Sequence, residues 1–65
     1  MWVVIHMIKG EESAQRVCDR LKAEGILSRM RPVYKATPPQ ENYFEIQVLQ
    51  SELQEAREVL MELGL

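Results

Sequence analysis

Residues 43–49 read YFEIQVL, and this alternation predicts a β-strand with two unlike faces. Phe44, Ile46 and Val48 fall on one face, and mostly polar residues fall on the other. Side chains of a strand point alternately to the two sides of the sheet. We therefore expect one face of this strand to lie in the core and the other to remain uncovered.

Two further strands are predicted, one near the N-terminus and one in the middle of the chain. Residues 2–8, WVVIHMI, are apolar and rich in β-branched residues, so both faces of this strand should be at least partly covered. Residues 26–34 alternate in the middle, with Met30 on one face and Arg29 and Arg31 on the other. Pro32 cannot donate a ladder hydrogen bond, which places this strand at a sheet edge.

Two helices are predicted, one between the strands at 2–8 and 26–34 and one after the strand at 43–49. An apolar stripe spaced i, i+3, i+4, i+7 predicts a first helix, with acidic residues in its first turn and Gly25 at its end. The stripe consists of Ala14, Val17, Cys18 and Leu21. Residues 51–54, SELQ, match a capping box in which Ser51 and Gln54 open a second helix that stops at Gly64.

These elements predict one α+β domain over residues 1–65, with the order β-α-β-β-α. We number the strands in chain order: strand 1 at residues 2–8, strand 2 at 26–34 and strand 3 at 43–49. A right-handed crossover from strand 1 to strand 2 and a hairpin from strand 2 to strand 3 can both form if strand 3 lies between strands 1 and 2. The expected fold is a ferredoxin-like plait lacking the fourth strand, with an antiparallel sheet ordered 1-3-2 and both helices on one face. Strand 1 then has a free edge, which a dimer or the C-terminal residues 63–65 would cover.

The chain resembles a family of very short prokaryotic proteins that carries a signal-transducing label. The resemblance rests on MWVVI at 1–5, EESAQ at 11–15, LKAEGIL at 21–27, RMRPV at 29–33, YFEIQVL at 43–49 and EAREVL at 55–60. That family is a domain of unknown function with a ferredoxin-like βαββα fold. The resemblance implies this fold and a regulatory role, and it implies no catalytic residues.

Composition limits the cellular setting and the partners. The 65 residues include one cysteine and no signal peptide or membrane span, so we expect a soluble cytoplasmic protein. The net charge of −2 argues against a nucleic-acid binder. Residues 14–35 carry six basic side chains, whereas residues 36–65 carry six glutamates and one arginine. This asymmetry could attract a second copy or a bipolar partner, or could reflect ordinary solvated helix surfaces.

The uncovered sheet face is the predicted working surface. Period-two counting places Trp2, Val4 and His6 of strand 1 on it, although a slip of one residue would expose Val3, Ile5 and Met7 instead. The candidate interaction residues are Trp2, His6, Arg29, Arg31 and Tyr43. The arginines could bind an anion or keep an edge strand from aggregating, and the aromatic residues could anchor a partner or pack beside the core.

No pattern in the chain indicates an enzyme, a metal site or a cofactor site. His6 is the only histidine and has no ligand-spaced neighbour. Cys18 lies on the apolar stripe, where a thiol is inert. Gly10 precedes a helix and could cradle an anion, but Glu11 and Glu12 would repel one, so a plain helix cap is expected.

Three functions follow from this surface. The first is a non-enzymatic interaction or regulatory module that forms a homo-oligomer and binds an unknown protein. The alternative is a sensor of small anionic ligands that binds through Arg29 and Arg31, with help from His6 or Lys35. The third is single-stranded nucleic-acid binding, because aromatic residues on an open plait can stack bases. The acidic balance and the few aromatic residues count against it.

Overall fold

A computed structural model describes residues 1–65, and it confirms the predicted α+β order and sheet topology. The elements are β1 Trp2–Lys9, α1 Glu11–Ala23, β2 Ser28–Pro32, β3 Tyr43–Leu49 and α2 Leu53–Glu62. The three strands are antiparallel in the order β1-β3-β2. The sheet therefore has β3 at its centre and two free edges, as the crossover and hairpin rules require.

The core lies between one face of the sheet and the two helices. It contains eleven buried residues, and β3 supplies three of them, Phe44, Ile46 and Val48. The others are Ala14, Val17, Cys18, Leu21, Ile26, Ala56, Val59 and Leu60. Both helices thus cover the same face, and Cys18 packs as a small apolar residue as expected. Neither helix has the length and apolar composition needed to cross a membrane.

Pro32 lies on the edge strand β2, and the hydrogen-bond pattern explains why it is tolerated there. The Val33 amide donates to the Tyr43 carbonyl at 2.9 Å, so residue 33 faces residue 43 in a hydrogen-bonded pair. Such pairs alternate along antiparallel strands, which turns the nitrogen of Pro32 toward the free edge. The missing N–H therefore removes no bond from the sheet.

Strand β1 contains a β-bulge between Val4 and His6, which period-two counting did not predict. Val4 pairs with Gln47 and His6 pairs with Ile46, so Ile5 is the extra residue. A bulge places two residues of one strand opposite one residue of the other. The alternation of side chains is therefore reset at Ile5, and Met7 rather than His6 follows Val4 on the uncovered face.

Gly25 ends α1 in the predicted left-handed conformation, with φ +82°. The Gly25 amide donates to the Lys22 carbonyl at 2.9 Å, and the Ile26 amide donates to the Leu21 carbonyl at 2.9 Å. This pair of bonds is a Schellman motif, which satisfies carbonyls at the helix end. Because Leu21 and Ile26 are both buried, the motif also directs the chain from α1 into β2.

The start of α2 differs from the predicted capping box. Residues Gln50–Glu52 form a 3-10 turn that runs into the helix, and no side-chain capping hydrogen bond forms. The Gln50 amide instead donates to the Met1 carbonyl at 2.8 Å. Ser51 therefore lies inside the first helical turn rather than before it, and its hydroxyl cannot occupy the N-cap position. The capping-box prediction was wrong.

Candidate interaction surface

The sheet face opposite the helices carries no other element of the chain. Pairing register assigns ten side chains to it, because directly opposed residues share a face. We call this set the open face: Trp2, Val4, Met7, Lys9, Arg29, Arg31, Tyr43, Glu45, Gln47 and Leu49. It includes four of the five predicted interaction residues, Trp2, Arg29, Arg31 and Tyr43. His6 is the exception.

His6 lies on the other side of the sheet. The bulge brings it opposite Ile46, which is fully buried on the helix-covered face, and His6 itself is half-buried. The prediction that His6 shares a face with Trp2 and Val4 was wrong because the sequence gives no sign of the bulge. The placement of Trp2 and Val4 themselves was right.

Trp2 and Arg29 form a cation–π contact on the open face. The guanidinium carbon of Arg29 lies 4.3 Å from the centre of the Trp2 ring, which is within cation–π range. Because β3 separates the two strands, these side chains reach toward each other across the central strand. The stack takes one face of the indole ring, and a nucleic-acid base could not use that face without displacing Arg29.

A hydrogen-bonded chain continues from Arg29 across β3. Arg29 Nε donates to Gln47 Oε1 at 2.8 Å, and Gln47 Nε2 donates to Glu45 Oε1 at 3.1 Å. Gln47 is only 6% exposed although no helix covers this face. We attribute its burial to the side chains of Trp2 and Arg29 that close over it. The contacts with Trp2 and Gln47 restrain the exposed Arg29 side chain, and its terminal amino groups form no intramolecular hydrogen bond or ion pair.

Arg31 lies beside this chain without joining it. It faces Glu45 by register, yet the two charged groups form no ion pair within 4.0 Å, and Glu45 accepts a hydrogen bond from Gln47 instead. Arg29 and Arg31 occupy the same face about 7 Å apart along the strand. Both side chains keep terminal donors without a hydrogen bond or ion pair within the chain, and such donors suit carboxylates.

Exposed apolar side chains border the two arginines. Val4 is 50% exposed and Met7 is 52% exposed, and Tyr43 is also exposed. Together with Trp2 they give the open face a mixed apolar and basic character, because Lys9, Arg29 and Arg31 outnumber the single carboxylate of Glu45. Surfaces of this composition, with aromatic residues and arginine, are typical of binding hot spots.

Concave sites lie elsewhere on the molecule. Three depressions of about 520, 510 and 400 Å³ are lined mainly by residues of α1, its flanking loops and the 33–42 loop. Lys9 is the one open-face residue that lines any of them, and none is lined by Trp2, Arg29 or Arg31. Lys35 lines the smallest of them with Glu11 and Phe44, away from the arginines. Nowhere do three potential metal ligands gather.

Gly10 and Asn42 organise the loop beside α1. The Gly10 amide donates to the Asn42 carbonyl at 2.7 Å, so it is not free to hold an anion. The buried Asn42 side chain accepts hydrogen bonds from the Tyr34 and Tyr43 amides and donates to the Tyr34 carbonyl. Sequence reasoning missed this role, although an asparagine before a strand is a known turn signal.

Comparisons of the chain with protein-family models, with curated proteins and with solved structures find no match. The resemblance to the short prokaryotic family therefore stays a prediction based on the residues quoted above.

Proposed function

We propose that this protein is a non-enzymatic interaction module with a regulatory role, and that it binds a partner protein through the open face. The observation that carries the proposal is that Arg29 both stacks on the Trp2 ring and donates to Gln47, while Arg31 lies unpaired on the same face. Holding a side chain in place before binding lowers the entropy lost on binding. The exposed Val4, Met7 and Tyr43 supply apolar contact area around it.

The side chains of the open face indicate which groups a partner should present. Two arginines with free donors favour carboxylates, and the neighbouring apolar residues favour leucine-like side chains. We propose a protein segment that presents both. The signal-transducing label of the resembling family and a cytoplasmic location fit such a role. Cys18 supports that location, because a single unpaired thiol suits a reducing compartment.

A small-anion sensor is the second candidate, because the same two guanidinium groups could bind phosphate or a free carboxylate. None of the three main depressions is lined by Arg29 or Arg31, which favours the protein partner. Small-ligand sites are usually concave and bury most of the ligand, whereas a nearly flat surface gains its affinity from a larger partner.

Trp2 is the only tryptophan, so its fluorescence tests the proposal. We expect a short peptide of alternating glutamate and leucine to change the emission of Trp2, and the double variant Arg29→Gln/Arg31→Gln to weaken this binding at least tenfold. A lysine–leucine peptide is the matched control and should cause no change. Equal binding of both peptides would contradict the proposal, and a response to inorganic phosphate alone would favour the anion sensor.

A further inference from the structure

The outer edge of β1 is the longest unpaired backbone segment of the sheet. β1 pairs only with β3, whereas the edge of β2 spans five residues and includes Pro32. The C-terminal residues form no backbone hydrogen bond to β1, and the amides of Gly64 and Leu65 bond back to Met61 and Leu60. Unpaired edges of this kind are templates for pairing with another strand.

Hydrogen bonds to β3 identify which groups of β1 point outward. The Gly10 amide bonds to the Asn42 carbonyl, and the Gln50 amide bonds to the Met1 carbonyl. Bonded and non-bonded pairs alternate along antiparallel strands. Counting inward from both ends of β1 gives four residues whose N–H and C=O groups point away from β3: Trp2, Val4, Met7 and Lys9. The bulge at Ile5 and His6 lies between the two pairs.

This set of outward groups is self-complementary. If two β1 strands meet antiparallel, one register brings all four outward residues of each copy opposite outward residues of the other. Val4 then faces Met7 of the second copy, and Trp2 faces Lys9. The bulges coincide at the centre, and every facing pair lies on the same side of the sheet. Any other antiparallel register matches at most two of the four.

We propose that two copies pair through β1 in this register and form a six-stranded sheet ordered β2-β3-β1-β1-β3-β2. A twofold interface requires the same surface on both subunits, and the outward groups of β1 meet this requirement. Exposed Val4 and Met7 become apolar neighbours across the interface, and Lys9 meets an aromatic ring rather than another cation. The inference goes beyond the proposed function, because both open faces remain free for a partner.

Sedimentation equilibrium of Met7→Pro and Met7→Leu variants tests the proposal. Proline removes the outward N–H of residue 7 without breaking a bond to β3, so we expect it to weaken dimerisation at least tenfold. Met7→Leu keeps the N–H and should dimerise like the unchanged chain, whose mass should rise toward two copies with concentration. A monomer at millimolar concentration, or dimerisation that survives Met7→Pro, would overturn the proposal.

A second measurement does not depend on the folding of a variant. In a mixture of isotope-labelled and unlabelled chains, the register predicts magnetisation transfer between the methyl groups of Val4 and Met7 of different copies. Intermolecular contacts centred on other residues, such as Tyr34 or Met61, would overturn the proposed interface.

Discussion

Arg29 makes two side-chain contacts on the open face. Its guanidinium group stacks on Trp2 and donates to Gln47 at 2.8 Å. An arginine can do both because its planar group offers several donors in fixed directions, whereas a lysine offers a point charge. Arg31 has the same chemistry on the same face but no partner within the chain. The two residues therefore form a matched pair for comparison.

We expect Arg29→Lys to lower the free energy of unfolding by about 1 kcal/mol, because it loses the hydrogen bond to Gln47 and most of the stacking energy. Arg31→Lys should change it by less than about 0.5 kcal/mol, as usual for a surface substitution. Urea unfolding of both variants measures the difference. Equal losses would show that the Trp2–Arg29 contact contributes nothing to stability.

Sequence patterns located four of the five candidate residues but not the contacts between them. The alternation of β3 and β2 placed Tyr43, Arg29 and Arg31 on one face. The apolar character of both faces of β1 left its phase open, and the bulge at Ile5 then moved His6 to the other side. The contact of Arg29 with Trp2 and Gln47 was also beyond prediction, since it joins side chains from three different strands.

At the scale of elements, Gly25 fixes the angle between α1 and β2. Its φ of +82° is costly for other L-residues, and a methyl group there would contact no other atom within 4 Å. We expect Gly25→Ala to lower the free energy of unfolding by about 1 kcal/mol through backbone strain alone. D-alanine prefers positive φ, so the same position in a synthetic chain should be stabilised. Thermal unfolding distinguishes the two, and equal melting temperatures would contradict this account.

Ser51 tests the 3-10 turn before α2. Because its hydroxyl makes no capping hydrogen bond, we expect Ser51→Ala to change the free energy of unfolding by less than about 0.5 kcal/mol. A capping box would lose about 1 kcal/mol on the same substitution. A chemical denaturation curve decides between the two, and a loss of the larger size would restore the predicted cap.

Local patterns predicted the number and kind of elements well and their ends less well. The apolar stripe located α1, and Gly25 located its end, because the helical spacing of apolar residues stops just before this glycine. Residues 51–54 matched a capping box, yet a 3-10 turn over Gln50–Glu52 precedes α2 and no side-chain capping hydrogen bond forms. The Gln50 amide bonds to the Met1 carbonyl, a contact between residues distant in the sequence that no local pattern could reveal.

At the scale of the whole molecule, the sheet topology followed from two general rules, whereas the register proposed for two paired copies did not. A right-handed crossover and a hairpin leave one position for β3, and the structure confirms it. The self-complementary edge of β1 depends on the bulge and on hydrogen bonds to Asn42 and Met1. These are features of the folded chain and could not be deduced from alternation.

The two proposed surfaces should respond differently to salt. Ion pairs between the arginines and a carboxylate partner are screened as the Debye length falls from about 10 Å at 0.1 M to about 3 Å at 1 M salt. Pairing of β1 strands relies on backbone hydrogen bonds and apolar contacts. We therefore expect high salt to weaken binding of the glutamate–leucine peptide while leaving the dimer intact, as measured by fluorescence and light scattering. Parallel loss of both would contradict separate surfaces.

The central claim is that the open face binds the partner, and a backbone amide NMR map tests it most directly. The glutamate–leucine peptide is titrated into the unchanged chain at one fixed protein concentration, so that any pairing of β1 strands is the same at every point and both open faces stay free. The account predicts shifts concentrated at Trp2, Arg29, Arg31 and Gln47, with the amides of α1 and α2 unchanged. Shifts centred on the helices or on the 33–42 loop, or none at the open face, would contradict it.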